Sequence, residues 1–113
     1  MIPVQREDKG DVTVLRMKGE LNFENTVWLR GELHDLLKDN RIQLLLDLEG
    51  VDFISSYTVG VFVAFSRDLR DRGGDIKFLN LQKRVQMTFE ATRINKILDI
   101  FDDEDSAVGA FNS

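Results

Sequence analysis

The chain of 113 residues is 42% hydrophobic and 31% charged, which fits one soluble globular domain, residues 1–113, with its own core and argues against a multidomain enzyme. It holds no cysteine, which removes disulfides, thiolate nucleophiles and cysteine-based zinc sites and fits a reducing compartment. Fifteen Lys and Arg against twenty Asp and Glu give a formal net charge of −5, which weakly repels nucleic acid and anionic lipid.

The single histidine, His34, cannot build a metal site, and no cofactor is expected. Neither a secretory leader nor an apolar run of about 18 residues is visible, so the expected setting is the cytoplasm, without membrane insertion.

Val4 begins a short strand, Lys9-Gly10-Asp11 makes a turn, and Val12, Val14, Leu15 and Met17 continue as a second strand to Gly19, the two pairing as a hairpin. Asn22 or Asn25 then caps a helix whose Leu29, Leu33, Leu36 and Leu37 fall on one stripe, and Asp39-Asn40 stops it. Ile42 to Leu48 is short and apolar on both faces, as a central strand requires.

A second helix runs from about Tyr57 to Arg72 and closes at Gly73-Gly74; Ile76, Phe78 and Leu79 form the next strand. Gln82 to Thr92 is read as a short helix, Ile97, Leu98 and Ile100 as a brief last strand, and Ser106 to Phe111 as a terminal helix. The alternation predicts an α/β fold: a small, mixed, largely parallel sheet of four to five strands, with helices packed mainly on one side.

The scattered cations Lys83, Arg84, Arg93 and Lys96 are read as a solvated face, and the acidic group Asp99, Asp102, Asp103, Glu104 and Asp105 as a solvated loop leading into a helix. That group lacks the ligand spacing of a calcium loop. An enzyme is not expected. A nucleophilic serine needs a base within hydrogen-bond reach, and His34 is placed as a surface residue on a helix elsewhere. Asp47, Glu49 and Asp52 are close in sequence but read as strand-end turn and cap chemistry.

The informative stretch is Val51-Asp52-Phe53-Ile54-Ser55-Ser56-Tyr57-Thr58-Val59-Gly60, read as the loop that enters the second helix. Unpaired N–H groups and the helix dipole favour an anion there, so a hydroxyl in the first turn is well placed to carry a phosphate. The simpler reading is that Ser55 or Ser56 caps the helix through its side-chain oxygen, worth about 1 kcal/mol. Val59, Val61, Phe62, Val63, Ala64 and Phe65 make this helix more apolar than a one-sided helix needs. Val59, Phe62 and Val63 are expected to face the sheet, leaving Val61 and Phe65 for a partner or for a neighbouring helix. Trp28 and Phe23 are read as core packing, or as interface anchors.

The chain resembles the STAS domain family, the anti-sigma factor antagonists, across nearly its whole length. The resemblance rests on Gly19-Glu20-Leu21-Asn22, on Leu44-Leu45-Leu46-Asp47-Leu48-Glu49-Gly50-Val51-Asp52-Phe53-Ile54, on the following serine, Val-Gly turn and helix, and on Gly73-Gly74. In that family the loop usually reads Asp-Ser-Ser-Gly-Leu-Gly, with the serine after the aspartate phosphorylated. The resemblance places Ser56 at the phosphoacceptor, with Ser55 and Thr58 as neighbouring alternatives, and Gly60 at the second glycine.

This chain departs from the pattern at Ser55 (family aspartate), Tyr57 (a small residue), Thr58 (the first glycine) and Asn22 (often aspartate). The implied function is a regulator, a monomer or weak dimer, that binds a serine-kinase anti-sigma factor and is switched by phosphorylation at Ser56 and reset by a serine phosphatase. The partner-binding surface is expected to comprise Asn22, Tyr57, Thr58, Val59, Gly60, Val61 and Phe65. The alternatives are a constitutive STAS interaction subunit, as in an ABC-type lipid-transport complex, and a small-ligand sensor.

Overall fold

In a computed structural model, residues 1–112 are described. The chain forms five strands: β1 (Val4–Lys9), β2 (Val12–Leu21), β3 (Gln43–Ile54), β4 (Asp75–Leu79) and β5 (Asp99–Phe101). They form one sheet in the order β1-β2-β3-β4-β5. The hairpin β1-β2 is antiparallel and the other three pairings are parallel. This is the mixed, largely parallel sheet that the element order predicts.

Four helices, α1 (Phe23–Lys38), α2 (Ser56–Asp71), α3 (Lys83–Ala91) and α4 (Glu104–Ala110), complete the described residues, with a 3₁₀ turn at Ile94–Lys96. Among the described residues no helix is long and apolar enough to cross a membrane.

Period-two alternation sorts the strands' side chains between two cores. Leu15, Met17, Leu44, Leu46, Leu48, Ile76 and Phe78 point to the face covered by α1, α2 and α3. There Leu29, Leu33, Leu36 and Leu37 of α1 are buried, as their spacing predicts. Phe62, Phe78 and Phe89, all fully buried, pack with ring centroids 4.8, 5.3 and 6.4 Å apart. Val12, Val14, Leu45 and Leu79 point to the opposite face, where α4 brings Ala107, Val108 and the following Phe111. The three consecutive leucines of β3 are therefore buried on both faces of a central strand.

Two strands run longer than expected. β3 continues past Leu48 to Ile54, so Val51 to Ile54 are strand and not loop, and β2 continues past Gly19 to Leu21. The reason lies in the pairing: Gly50, Val51, Phe53 and Ile54 align with Lys18, Gly19, Glu20 and Leu21 after register shifts near Met17 and at Gly19. Gly19, at φ 120°, takes a backbone that other residues rarely adopt, and the ladder resumes beyond it.

Asp47, Glu49 and Asp52 consequently lie within β3 and not at its end. Asp47 is buried and accepts from the Glu49 N–H at 3.0 Å. Of the residues expected in the last strand, Ile97 and Leu98 lie before β5, following the 3₁₀ turn. The terminal helix begins two residues early because the Asp103 carboxylate caps it, accepting from the Ser106 N–H at 2.9 Å and from its hydroxyl at 2.6 Å. Lys83, Arg84, Arg93 and Lys96 are exposed, with the Arg84 guanidinium 5.2 Å from the centre of the Phe53 ring.

Short helices need anchoring, and α4 is anchored by charge. Glu104 accepts from Arg16 at 2.5 Å and pairs with Lys9, while Arg16 also reaches Asp47 at 3.1 Å and Glu7 at 2.7 Å. Arg16 and Lys9 hold the Glu104 carboxyl at a pKa of about 2, below its ordinary value of 4.5. The stabilisation this gives is complete above about pH 4.5 and is lost as pH falls through about 2. Denaturant midpoints measured from pH 7 to pH 2 are expected to fall less steeply for Glu104→Gln than for the wild type across this window, with the variant less stable at pH 7.

Candidate functional site

Helix α2 starts where β3 leaves the sheet, and its first turn is organised by hydroxyls. Ser55 is the N-cap, in extended conformation, and its Oγ accepts from the Thr58 N–H at 3.2 Å. The Thr58 hydroxyl answers by accepting from the Ser55 N–H at 3.2 Å, closing a capping box. Thr58 is fully buried. Its Oγ1 lies 2.8 Å from the carbonyl oxygen of Leu21, at the end of β2, to which it donates, and 2.8 Å from both Ser55 Oγ and Thr26 Oγ1. Thr26 is fully buried on α1 and also donates to the Asn22 carbonyl at 2.7 Å. Asn22, not Asn25, caps α1, accepting from the Asn25 N–H at 2.9 Å.

The three candidate phosphoacceptors are thereby separated. Ser55 is spent on the cap, and Thr58 is enclosed with its hydroxyl bonded on several sides. Ser56, the first residue of the helix, is exposed, and its hydroxyl has no hydrogen-bond partner among the described residues.

Helices α1 and α2 run side by side in the same direction. Phe23 packs on Tyr57 with centroids 4.8 Å apart, Thr26 bonds Thr58, and the His34 ring lies 4.9 Å from that of Phe65. An open groove of about 650 Å³ follows their junction. Arg30 and His34 line its α1 side, and Ser56, Tyr57, Gly60, Ala64 and Asp68 its α2 side, over Val61 and Phe65. Gly60 and Ala64 are exposed one and two turns below Ser56, so this wall is low. Beside it, Phe23 and Val27 stand 59% and 46% exposed.

Of the two settings expected for Val61 and Phe65, the structure has the neighbouring helix: both are buried, at 6% and 4% exposure, while Phe62 is fully buried and Val59 and Val63 pack half-buried against the same core. The cause is that α2 has two neighbours, the sheet and α1, and turns its Thr58, Val61, Phe65 edge toward α1. Of the expected partner-binding residues, Tyr57 is half-buried and lines the groove, Asn22 is half-buried at the cap of α1, Gly60 is open, and Thr58 is enclosed. Phe23 is exposed rather than core, and Trp28 packs half-buried against the core.

His34 is on the surface, as expected, but not elsewhere: it shares the groove with Ser56. The two are at opposite ends, since the contacts between the helices set them about 15 Å apart along the axis, well beyond the reach of a base. Sequence reasoning missed Thr26, Arg30 and the Val27 flank. The signals were present: Thr26 is in phase with the leucine stripe of α1, and Phe23, Val27, Arg30 and His34 recur at helical spacing on the adjoining face.

Replacing Thr58 by Val keeps its volume and β-branch but leaves the Leu21 carbonyl one donor short and the Ser55 cap unanswered. An unfolding free energy lower by about 1–3 kcal/mol is expected in urea titration. An unchanged midpoint would show that the hydroxyl does not tie β2 to α2.

The description "STAS domain" matches residues 3–107. The anti-sigma-B factor antagonist of Bacillus subtilis is 28% identical over 95 residues, covering 84% of this chain and 85% of that one. The crystal structure of TM1081 from Thermotoga maritima superposes with a TM-score of 0.91 at 23% identity, over 97% of this chain and 95% of the other. The anti-sigma factor antagonist SpoIIAA in its unphosphorylated form gives 0.81 at 20% identity, over 94% and 93%. The phosphorylated form of Bacillus SpoIIAA gives 0.73 at 19% identity, over 96% and 98%. At these identities the structures establish a shared fold, and the match over residues 3–107 establishes the lineage: the chain belongs to the STAS domain family.

Proposed function

We propose that this STAS domain is a cytoplasmic anti-sigma factor antagonist-like regulator, switched by phosphorylation of Ser56. In this reading the unmodified chain binds a serine-kinase anti-sigma factor across the start of α2 and the groove beside it. Phosphate on Ser56 ends that binding, and a serine phosphatase restores it. The kinase supplies the ATP site.

The observation that carries the reading is the sorting of hydroxyls. Of Ser55, Ser56 and Thr58, Ser56 alone is exposed and unengaged among the described residues. Two further points support it. The name of the Bacillus subtilis relative is that of an antagonist of an anti-sigma factor, and SpoIIAA, of the same fold, has been solved with and without phosphate. The surface beside Ser56 is also suited to a partner: Gly60 and Ala64 allow close approach, and Phe23 and Val27 offer apolar area to bury.

A phosphate adds about 1.5 to 2 negative charges and three acceptor oxygens. The positive end of the α2 dipole favours this charge, whereas a partner packed over Ser56 would have to desolvate it. Release therefore needs no refolding of the domain.

The test is intact mass and peptide mapping after incubation with ATP and host-cell extract, wild type beside Ser56→Ala. One added phosphate, mapped to Ser56 and absent from the variant, is the expected outcome. No phosphate in an extract that modifies a related control domain would contradict the switch and favour a constitutive interaction subunit.

A further inference from the structure

Resting on Ser56 as the phosphoacceptor, we infer that Arg30 is the receptor for the phosphate, drawing it down into the groove between α1 and α2. Two charged side chains besides His34 line that groove, Arg30 and Asp68. Asp68 is already paired, accepting from Arg72 at 2.9 Å. Arg30 is exposed and makes no ion pair or hydrogen bond among the described residues. The groove therefore carries one uncompensated guanidinium in a chain whose net charge is −5.

The geometry permits the contact. Thr26 and Thr58 touch across the helices at 2.8 Å, and Arg30 lies one turn below the first while Ser56 lies half a turn above the second. The two Cα atoms are thus offset by about 9 Å along the axis. A helical side chain leans back toward the N-terminus of its own helix, so the guanidinium extends upward along the groove toward Ser56. The phosphate, on a short serine stem, extends to meet it, and a guanidinium takes two phosphate oxygens side by side.

His34 is a further turn away, and Asp68 is about 18 Å down α2 from Ser56, so neither competes for the phosphate. Held this way, the phosphate lies over Gly60, the low wall on which a partner would pack. Phosphorylation then acts by filling the seat as well as by charging its edge.

The test uses the full chain with phosphoserine installed at position 56 during translation, so that it needs no kinase. The second ionisation of the phosphate is followed by phosphorus NMR in wild type, Arg30→Gln, Arg30→Lys and Lys38→Gln. A guanidinium in contact favours the dianion, so Arg30→Gln is expected to raise the midpoint by about half a pH unit, the size of a partly solvated pair. Arg30→Lys should raise it less, and Lys38→Gln, a loss of charge at the far end of α1, should leave it in place. Equal midpoints in wild type and Arg30→Gln, or the same rise in Lys38→Gln, would overturn the inference. Either result leaves the modification of Ser56 itself to the mass-mapping experiment, which fails or succeeds independently.

Discussion

The Thr58 hydroxyl is the point at which β2, α1 and α2 are held together. Its proton goes to the carbonyl that ends β2, and the N-cap that starts α2 and a threonine of α1 lie within 3.2 Å of the same oxygen, all inside a region closed to solvent. Buried hydroxyls are tolerated only when bonded, so these partners are obligatory once Thr58 faces inward. Because a helix turns about 100° per residue, facing Thr58 inward turns the residue two before it outward. Ser56 is therefore exposed as a geometric consequence of how its neighbours are satisfied. The same bond pins α1 against α2, and that packing creates the groove.

The front and back of the sheet are stabilised differently. Under α1, α2 and α3 the core is large and aromatic, centred on three fully buried phenylalanines. On the back, one short helix lays Ala107 over four buried residues of the sheet, and the Arg16–Glu104 network supplies what the small apolar area does not. The aromatic-cored front carries the proposed interface. A surface that must present one hydroxyl reproducibly is well served by a start of helix whose cap, first turn and neighbouring helix share a single hydrogen-bonded cluster.

Much of this was legible in the residues. Alternation in β2 and β4, the leucine stripe of α1 and the doubly apolar run in β3 each encode a burial pattern, and each of these stretches lies in the element type expected. What stayed hidden depends on neighbours. The second halves of β2 and β3 interleave Glu20, Glu49, Gly50 and Asp52, which look like a loop until a shifted register pairs them. The setting of Val61 and Phe65 stayed open because the apolar residues of α2 cover two faces, and only the position of α1 decides which face these two serve. His34 was placed apart from Ser56, and Arg30 was passed over, because nothing in one helix tells which helix will lie beside it. Thr58, standing where the family resemblance expects glycine, looked like a degenerate motif; folded, it is the residue that leaves Ser56 the accessible hydroxyl.

The measurement that most directly tests this account is hydroxyl-proton exchange by NMR at low temperature in the unmodified domain. Protons bonded in a closed cluster exchange slowly and show contacts to the acceptors they serve, whereas a solvated hydroxyl exchanges too fast to observe. The account predicts a resolved Thr58 hydroxyl proton close to Leu21, and none for Ser56. A fast-exchanging Thr58 hydroxyl, or a protected one at Ser56, would contradict the claim that packing around α2 singles out Ser56.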